Sequence, residues 1–260
     1  MRTLLTILCL GLFVTVPVLA ADLNGDGVDD SYIDHFVSAS LEVGEIAVVD
    51  IGGGGVGDFL SRITGLGYSI STIPANSTLE TLLNYSVVIL PVGHGSATHH
   101  ATFDALADDY HMYVSSGGGL WIAQPNPYQM PGGTADITWA PYALTLQNEY
   151  NGDDCPPMIV DSTHCITEGM SDTVFSFPGD DAISYASDWQ VLVTGSVTGR
   201  PGVMFAEYEG GKVLVELGHP SMGSLCPADD LAFQRYLECL AGGTVATSEM
   251  SWGSLKANFR

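Results

Sequence analysis

The chain has 260 residues, of which 30 are acidic and 7 basic, for a formal net charge of −23 at pH 7. A surface that negative repels nucleic acid and anionic lipid, so no nucleic-acid partner is expected, while it attracts divalent cations. The length suits one sizeable α/β core and is too short for two large domains.

Residues 1–20, MRTLLTILCLGLFVTVPVLA, join an early Arg2 to an apolar run and end on small residues, the pattern of an export signal. Pro17 interrupts the run and no basic stop-transfer flank follows, so cleavage near Ala20 is expected rather than retention as an anchor. No later stretch is apolar for long enough to span a bilayer. The mature protein is therefore expected to be secreted, periplasmic or at the cell surface.

Residues 21–43 form an acidic segment. In DLNGDGVDD, Asp22, Asn24, Asp26 and Asp30 stand at positions 1, 3, 5 and 9 of a loop, Gly27 at the sixth and the Val28 carbonyl at the seventh. Alternate oxygen ligands of this kind converge on a hard cation. Position 12, glutamate in an EF-hand, is Ile33 here, with Asp34 one place later. The stretch resembles the shorter calcium loops of FG-GAP and thrombospondin-type repeats and, more weakly, dockerin loops. That resemblance implies a structural Ca²⁺, since extracellular modules of this sort bind at about 10⁻⁴ to 10⁻³ M.

From residue 44 short apolar runs alternate with amphipathic ones. EIAVVDI (45–51) predicts a buried strand, followed by Gly52 to Gly55 and a helix through Phe59, Leu60 and Ile63. YSISTI (68–73) is the next strand, TLETLLN (78–84) a short helix and SVVILPV (86–92) a third strand. A helix is then expected over 99–118, with Phe103, Leu106, Tyr110 and Val114 on one face, before a strand at GLWIA (119–123). After a Pro- and Gly-rich middle, strands return at 189–195, 202–208 and 212–218, the last two joined by the hairpin signal EYEGGK. Phe103 and Trp121 read as core. Gly52, Gly54 and Gly57 match a dinucleotide fingerprint in spacing only, because Ser71, Thr72 and Ile73 stand where that motif needs an acid.

A final helix is expected between Cys226 and Cys239, with Pro227 in its first turn. Its rise of about 20 Å keeps those two cysteines from pairing with each other. Either Cys155 and Cys165 bridge locally and leave the helix cysteines free, or each helix cysteine takes one of that pair. The short local loop closes more cheaply, which favours the first.

Taken together, the segments specify an α/β fold with a mostly parallel sheet, helices on both faces and an antiparallel edge. VVILPVGHG, GGGLWIA, DSTHCITEGM and GGKVLVELGHPS occur in the order and spacing of class I glutamine amidotransferase-like proteins, and the region 44–243 resembles their ThuA-like branch in particular. That resemblance implies a flavodoxin-like three-layer sandwich. It also implies a cysteine nucleophile on the turn after GLWIA, with a His and an acid from an HPE-like motif. Here the turn reads IAQPNP, so Gln124 or a neighbour falls where the thiol belongs, and His219-Pro220 is followed by Ser221 instead of the acid. No catalytic residue is assigned, and glutaminase chemistry is not expected.

What remains is a cleft at the carboxyl ends of the strands, where open α/β sheets place ligands. Its candidate residues are Gly93, His94, Gly95, Gln124, Asn126 and His219, a set suited to a carbohydrate or another small polar ligand. The leading expectation is an exported binding or accessory domain without thiol chemistry. The alternatives are a ThuA-like enzyme acting on sugars, with His94 and His219 as acid/base groups or metal ligands, and a structural surface component. Residues 244–260 form a linker and an amphipathic tail with Trp252, Leu255 and Phe259 on one face, resembling short endings of some exported bacterial proteins. It is a candidate for surface docking.

Overall fold

The computed structural model describes residues 44–52, 55–92, 97–125, 127, 130–148, 154–176, 181–218 and 228–242. The leader, the calcium-loop ligands Asp22, Asn24, Asp26, Val28 and Asp30, the tail, and Gly93, His94, Gly95, Asn126 and His219 lie outside the described residues. Among the described residues no helix is long and apolar enough to cross a membrane.

β1 (Ile46–Asp50), β2 (Ile70–Pro74), β3 (Val87–Pro91) and β4 (Gly119–Ala123) are the four early predicted strands, and all pair in parallel. β11 (Gly211–Glu216) extends the parallel set beside β4. β10 (Pro201–Tyr208), β9 (Gln190–Thr194) and the two-residue β7 (Met158–Ile159) follow antiparallel. Together they form an eight-stranded sheet in the order β2-β1-β3-β4-β11-β10-β9-β7. The 2-1-3-4 order is that of flavodoxin-like folds, and the predicted antiparallel edge is present.

β1, β3 and β4 are almost wholly apolar because both of their faces are covered. One face carries α2 (Leu79–Leu82), α3 (Ala97–Asp104) and α4 (Ala107–Ser115); the other carries α1 (Gly55–Gly65) and α5 (Asp230–Ala241). Trp121 is fully buried under α1 and α5, its ring 5.2 Å from Phe59, 4.9 Å from Phe233 and 5.0 Å from Tyr236, all edge-on. Phe103 is buried on the opposite face, so both residues are core as expected. Arg62 pins α1 to α5: its Nε donates to Asp230 at 2.7 Å, another nitrogen donates to the Ala228 carbonyl, and the guanidinium lies 3.8 Å over the Phe233 ring.

Two expectations need correction, and one further element was not foreseen. The single helix over 99–118 is two, α3 and α4, separated at Leu106, whose φ of −113° and ψ of 13° leave the helical region. Neither Gly nor Pro marks the break; Asp108 and Asp109 in the first turn of α4 stabilise a fresh helix start there. The last helix begins later than predicted, with Asp229 as N-cap accepting from the Leu231 amide, and runs past Cys239 to Ala241. The Pro- and Gly-rich middle is not featureless: β5 (Thr134–Asp136), β6 (Leu144–Gln147) and β8 (Asp181–Tyr185) make a separate antiparallel sheet whose inner residues Ala135, Leu144 and Leu146 join the core on the α3/α4 side.

The cysteines take the arrangement that loop entropy disfavoured. Cys165 is bonded to Cys239, 74 positions further along the chain, with Cα atoms 5.8 Å apart. Cys155 is also disulfide-bonded. A loop about sevenfold longer than the local alternative costs only about 2 kcal/mol more to close, which tertiary placement readily outweighs. That placement comes from the 164–169 turn, where His164 packs 4.4 Å from the Phe205 ring of β10 and the Glu168 amide donates to the His164 carbonyl.

One buried carboxyl group organises the 195–199 turn between β9 and β10. Asp154 is fully buried and accepts from the Val197 and Thr198 amides at 2.9 and 2.8 Å and from the Thr198 hydroxyl. A Cβ at residue 195 would lie 2.3 Å from the Asp154 carboxyl carbon, so only glycine admits this approach. Asp154→Ala strands those donors and is expected to cost about 2 kcal/mol of stability, read as a lower urea midpoint at unchanged slope.

Candidate functional site

The carboxyl ends of β1, β3, β4 and β11 meet at one edge of the sheet. β1 finishes at Asp50, whose Oδ1 accepts from the Gly52 amide at 2.8 Å, and Gly52 turns the chain with a φ of +75°. β3 finishes at Pro91, and the next amide, Val92, donates to the Ala123 carbonyl at 3.0 Å, which locks the ends of β3 and β4 together.

Gln124 follows β4 directly. It is buried, its amide donates to the Glu216 carbonyl at 2.7 Å, and its φ is +50°. Only one other described non-glycine residue has a positive φ: Glu209, at +51° in the hairpin between β10 and β11, where a two-residue turn of the primed type demands it. Gln124 has no such excuse. It lies between parallel strands, where a side chain in the left-handed region costs on the order of 1–3 kcal/mol and persists only when its surroundings impose it. The structure thus places Gln124 on the sharp strand-to-loop turn at which the resemblance would put a nucleophile. An amide there donates and accepts hydrogen bonds but forms no acyl intermediate. Gln124→Gly removes the side-chain strain while keeping the turn, and is expected to raise thermal stability slightly, by about 1 kcal/mol, in a melting experiment.

Of the cleft candidates, Gln124 alone is among the described residues. Outside that set, His100 is buried on α3 with its ring 6.1 Å from Trp139.

Beneath the same turn lies a polar group that sequence reasoning passed over. Glu216, the last residue of β11, is fully buried. Its Oε1 accepts from the Ser176 hydroxyl at 2.9 Å and, at 3.5 Å, from Tyr236 on α5. Oε2 faces the indole of Trp121 without a hydrogen bond of good geometry. Burial pushes the Glu216 carboxyl from an ordinary 4.5 up to about 7, and Ser176, the charge of Arg62, Trp121 and Tyr236 offset only part of that. Burial and then the Glu216 charge also push the Tyr236 hydroxyl well up. A lone acid in the otherwise apolar run VLVELG was the readable sign of this group.

No family model matches the chain, and no curated protein matches it. Among solved structures it is similar to a Thermoplasma acidophilum protein described provisionally as part of a GMP synthase, with a TM-score of 0.57 at 13% identity over 80% of this chain and 98% of that one. Two cytoplasmic proteins of Salmonella typhimurium align at 15% and 16% identity with TM-scores of 0.49 and 0.48, over 76% and 77% of this chain and 98% and 99% of theirs. The described domain is a flavodoxin-like α/β sandwich, a fold it shares with that Thermoplasma protein.

Proposed function

We propose that this chain is an exported, non-hydrolytic domain of the glutamine amidotransferase-like fold that binds a small polyhydroxyl ligand, such as a carbohydrate, at the carboxyl ends of its parallel strands. The carrying observation is Gln124: a buried amide in the left-handed conformation, on the turn where this fold would display a thiol. Hydrogen-bonding groups without a nucleophile suit recognition better than acyl transfer. Around that cleft, Gly93, His94, Gly95, Asn126 and His219 supply further polar groups in the ThuA-like reading. The acidic segment carries a structural Ca²⁺ on Asp22, Asn24, Asp26, Val28 and Asp30, and the tail docks the protein at a surface.

Calorimetric titration of the purified chain with a panel of mono- and disaccharides tests the reading, with Gln124→Ala as the cleft variant. Binding that weakens at least tenfold in the variant supports it. Glutamine hydrolysis with a covalently trapped side chain at the cleft would overturn it. Stoichiometric zinc, iron or manganese lost on His94→Ala would favour the enzyme alternative.

A further inference from the structure

Cys165 and Cys239 have a third neighbour at the end of the domain away from the cleft. The His164 ring lies beside them, with Nδ1 3.7 Å and Nε2 3.9 Å from Cys165 Sγ. One ligand atom from each of His164, Cys165 and Cys239 lies within 4.8 Å of the others, and among the described residues no other such group of three exists. On a tetrahedral zinc ion, with Zn–S about 2.3 Å and Zn–N about 2.0–2.1 Å, neighbouring ligand atoms stand roughly 3.5–3.8 Å apart. The imidazole already holds that separation from one sulfur. A modest parting of the two sulfurs completes the triangle.

We propose that reduction of the Cys165–Cys239 bond converts this cluster into a three-ligand site for zinc or another thiolate-seeking transition metal, with His164 as the nitrogen ligand and the fourth position open to water. Two small-molecule thiols supply two electrons and two protons: the Cys165–Cys239 bond breaks, a disulfide forms between the small thiols, and both cysteines become thiols. Each then releases its proton to solvent as its sulfur bonds the metal. The oxidised and metal-bound forms exclude each other, because both use the same two sulfurs.

The surroundings favour such a site. In the oxidised chain the Ile166 amide donates to His164 Nδ1 at 3.3 Å, which orients the ring and leaves the proton on Nε2; metal binding releases that bond and takes the Nδ1 lone pair, the ring nitrogen nearer Cys165 Sγ. Phe205 packs against the ring face. Lys212 Nζ donates to the Cys239 carbonyl at 2.9 Å and brings a positive charge close to the cysteine pair, which favours thiolate. Cys165 is exposed and Cys239 buried, so an ion has a way in and a fixed wall to settle against. Lys212 lies at the start of β11 and Glu216 closes it, about 13 Å further along the strand, so the cluster is separate from the Gln124 cleft.

The test uses the full mature chain, oxidised and thiol-reduced, under anaerobic conditions with Zn²⁺ or Co²⁺ and desalting before metal analysis. Reduced protein is expected to retain one metal per chain and, with cobalt, to show sulfur-to-cobalt charge-transfer absorption; oxidised protein shows neither. Cys165→Ser and Cys239→Ser abolish the absorption, His164→Ala weakens affinity at least tenfold, and Cys155→Ser keeps both. If the reduced chain unfolds, added zinc restores its far-ultraviolet circular dichroism. A reduced chain that stays folded without retaining metal, or an unfolded one that zinc does not restore, overturns the proposal, as does uptake unaffected by His164→Ala.

Discussion

Replacing Cys165 by alanine is expected to lower the unfolding free energy of the oxidised chain by about 3 kcal/mol. The bond to Cys239 spans 74 residues, and closing such a loop restricts the unfolded chain by about 4 kcal/mol in the loop-entropy description. A second cross-link at Cys155 already restricts part of the same chain, which places the loss below that figure. The bond joins the 164–169 turn to the last turn of α5, so its removal also loosens α5 from the β10 side of the sheet. Guanidinium denaturation of oxidised wild type and variant reads the difference as a shift in midpoint. Equal midpoints would show that the bond contributes no net stability. The same comparison under reducing, metal-free conditions is expected to bring the two proteins together, because wild type then lacks the bond too.

A second large effect is expected from acidity. The folded-state pKa of Glu216, about 7, lies above its ordinary 4.5, so folding disfavours the ionised form. Below about pH 4.5 the carboxyl is neutral folded or unfolded and costs nothing. Between that point and pH 7 the unfolded chain gives up the proton while the folded chain keeps it, and stability falls as pH rises. Above pH 7 the penalty is complete, on the order of 3 kcal/mol. Glu216→Gln keeps the shape, and its carbonyl still accepts from Ser176 and Tyr236, without the charge. Wild type is therefore expected to lose about 3 kcal/mol more than the variant between pH 4.5 and 8. The many surface carboxylates titrate in both proteins, so the difference isolates Glu216. Parallel stability curves would refute this account of the buried carboxyl.

The parallel half of the fold was legible because its strands are uninterrupted apolar runs bounded by glycines and short amphipathic helices, as in VVILP. The parallel pairing of β1 to β4 followed from that alternation, whereas their 2-1-3-4 order came with the structure. The small sheet was not legible: β5 is Thr-Ala-Asp, three residues with one inward side chain, and such a strand exists only because β6 pairs with it. Nor was the break at Leu106, since leucine is a good helix former and only the packing of α3 and α4 decides where the axis changes.

At the site, counting residues from β4 was enough to locate Gln124, but its left-handed backbone came only with the structure. Glu216 is visible as an isolated acid in an apolar strand, but its burial and its Ser176 partner emerge only when β11 and α5 pack together. Of the two pairings open from the sequence, Cys165–Cys239 belongs to the one that loop closure disfavours, because a contour-length preference of about 2 kcal/mol is smaller than what spatial proximity decides.

The large sheet closes on β7, only two residues long, and its opposite border is β2, which ends in Pro74. Neither border offers a neighbouring copy a long row of free amides and carbonyls to zip onto. Coupled with mutual repulsion between chains carrying a formal charge of −23, such blunt borders guard a crowded solution against strand-to-strand clumping.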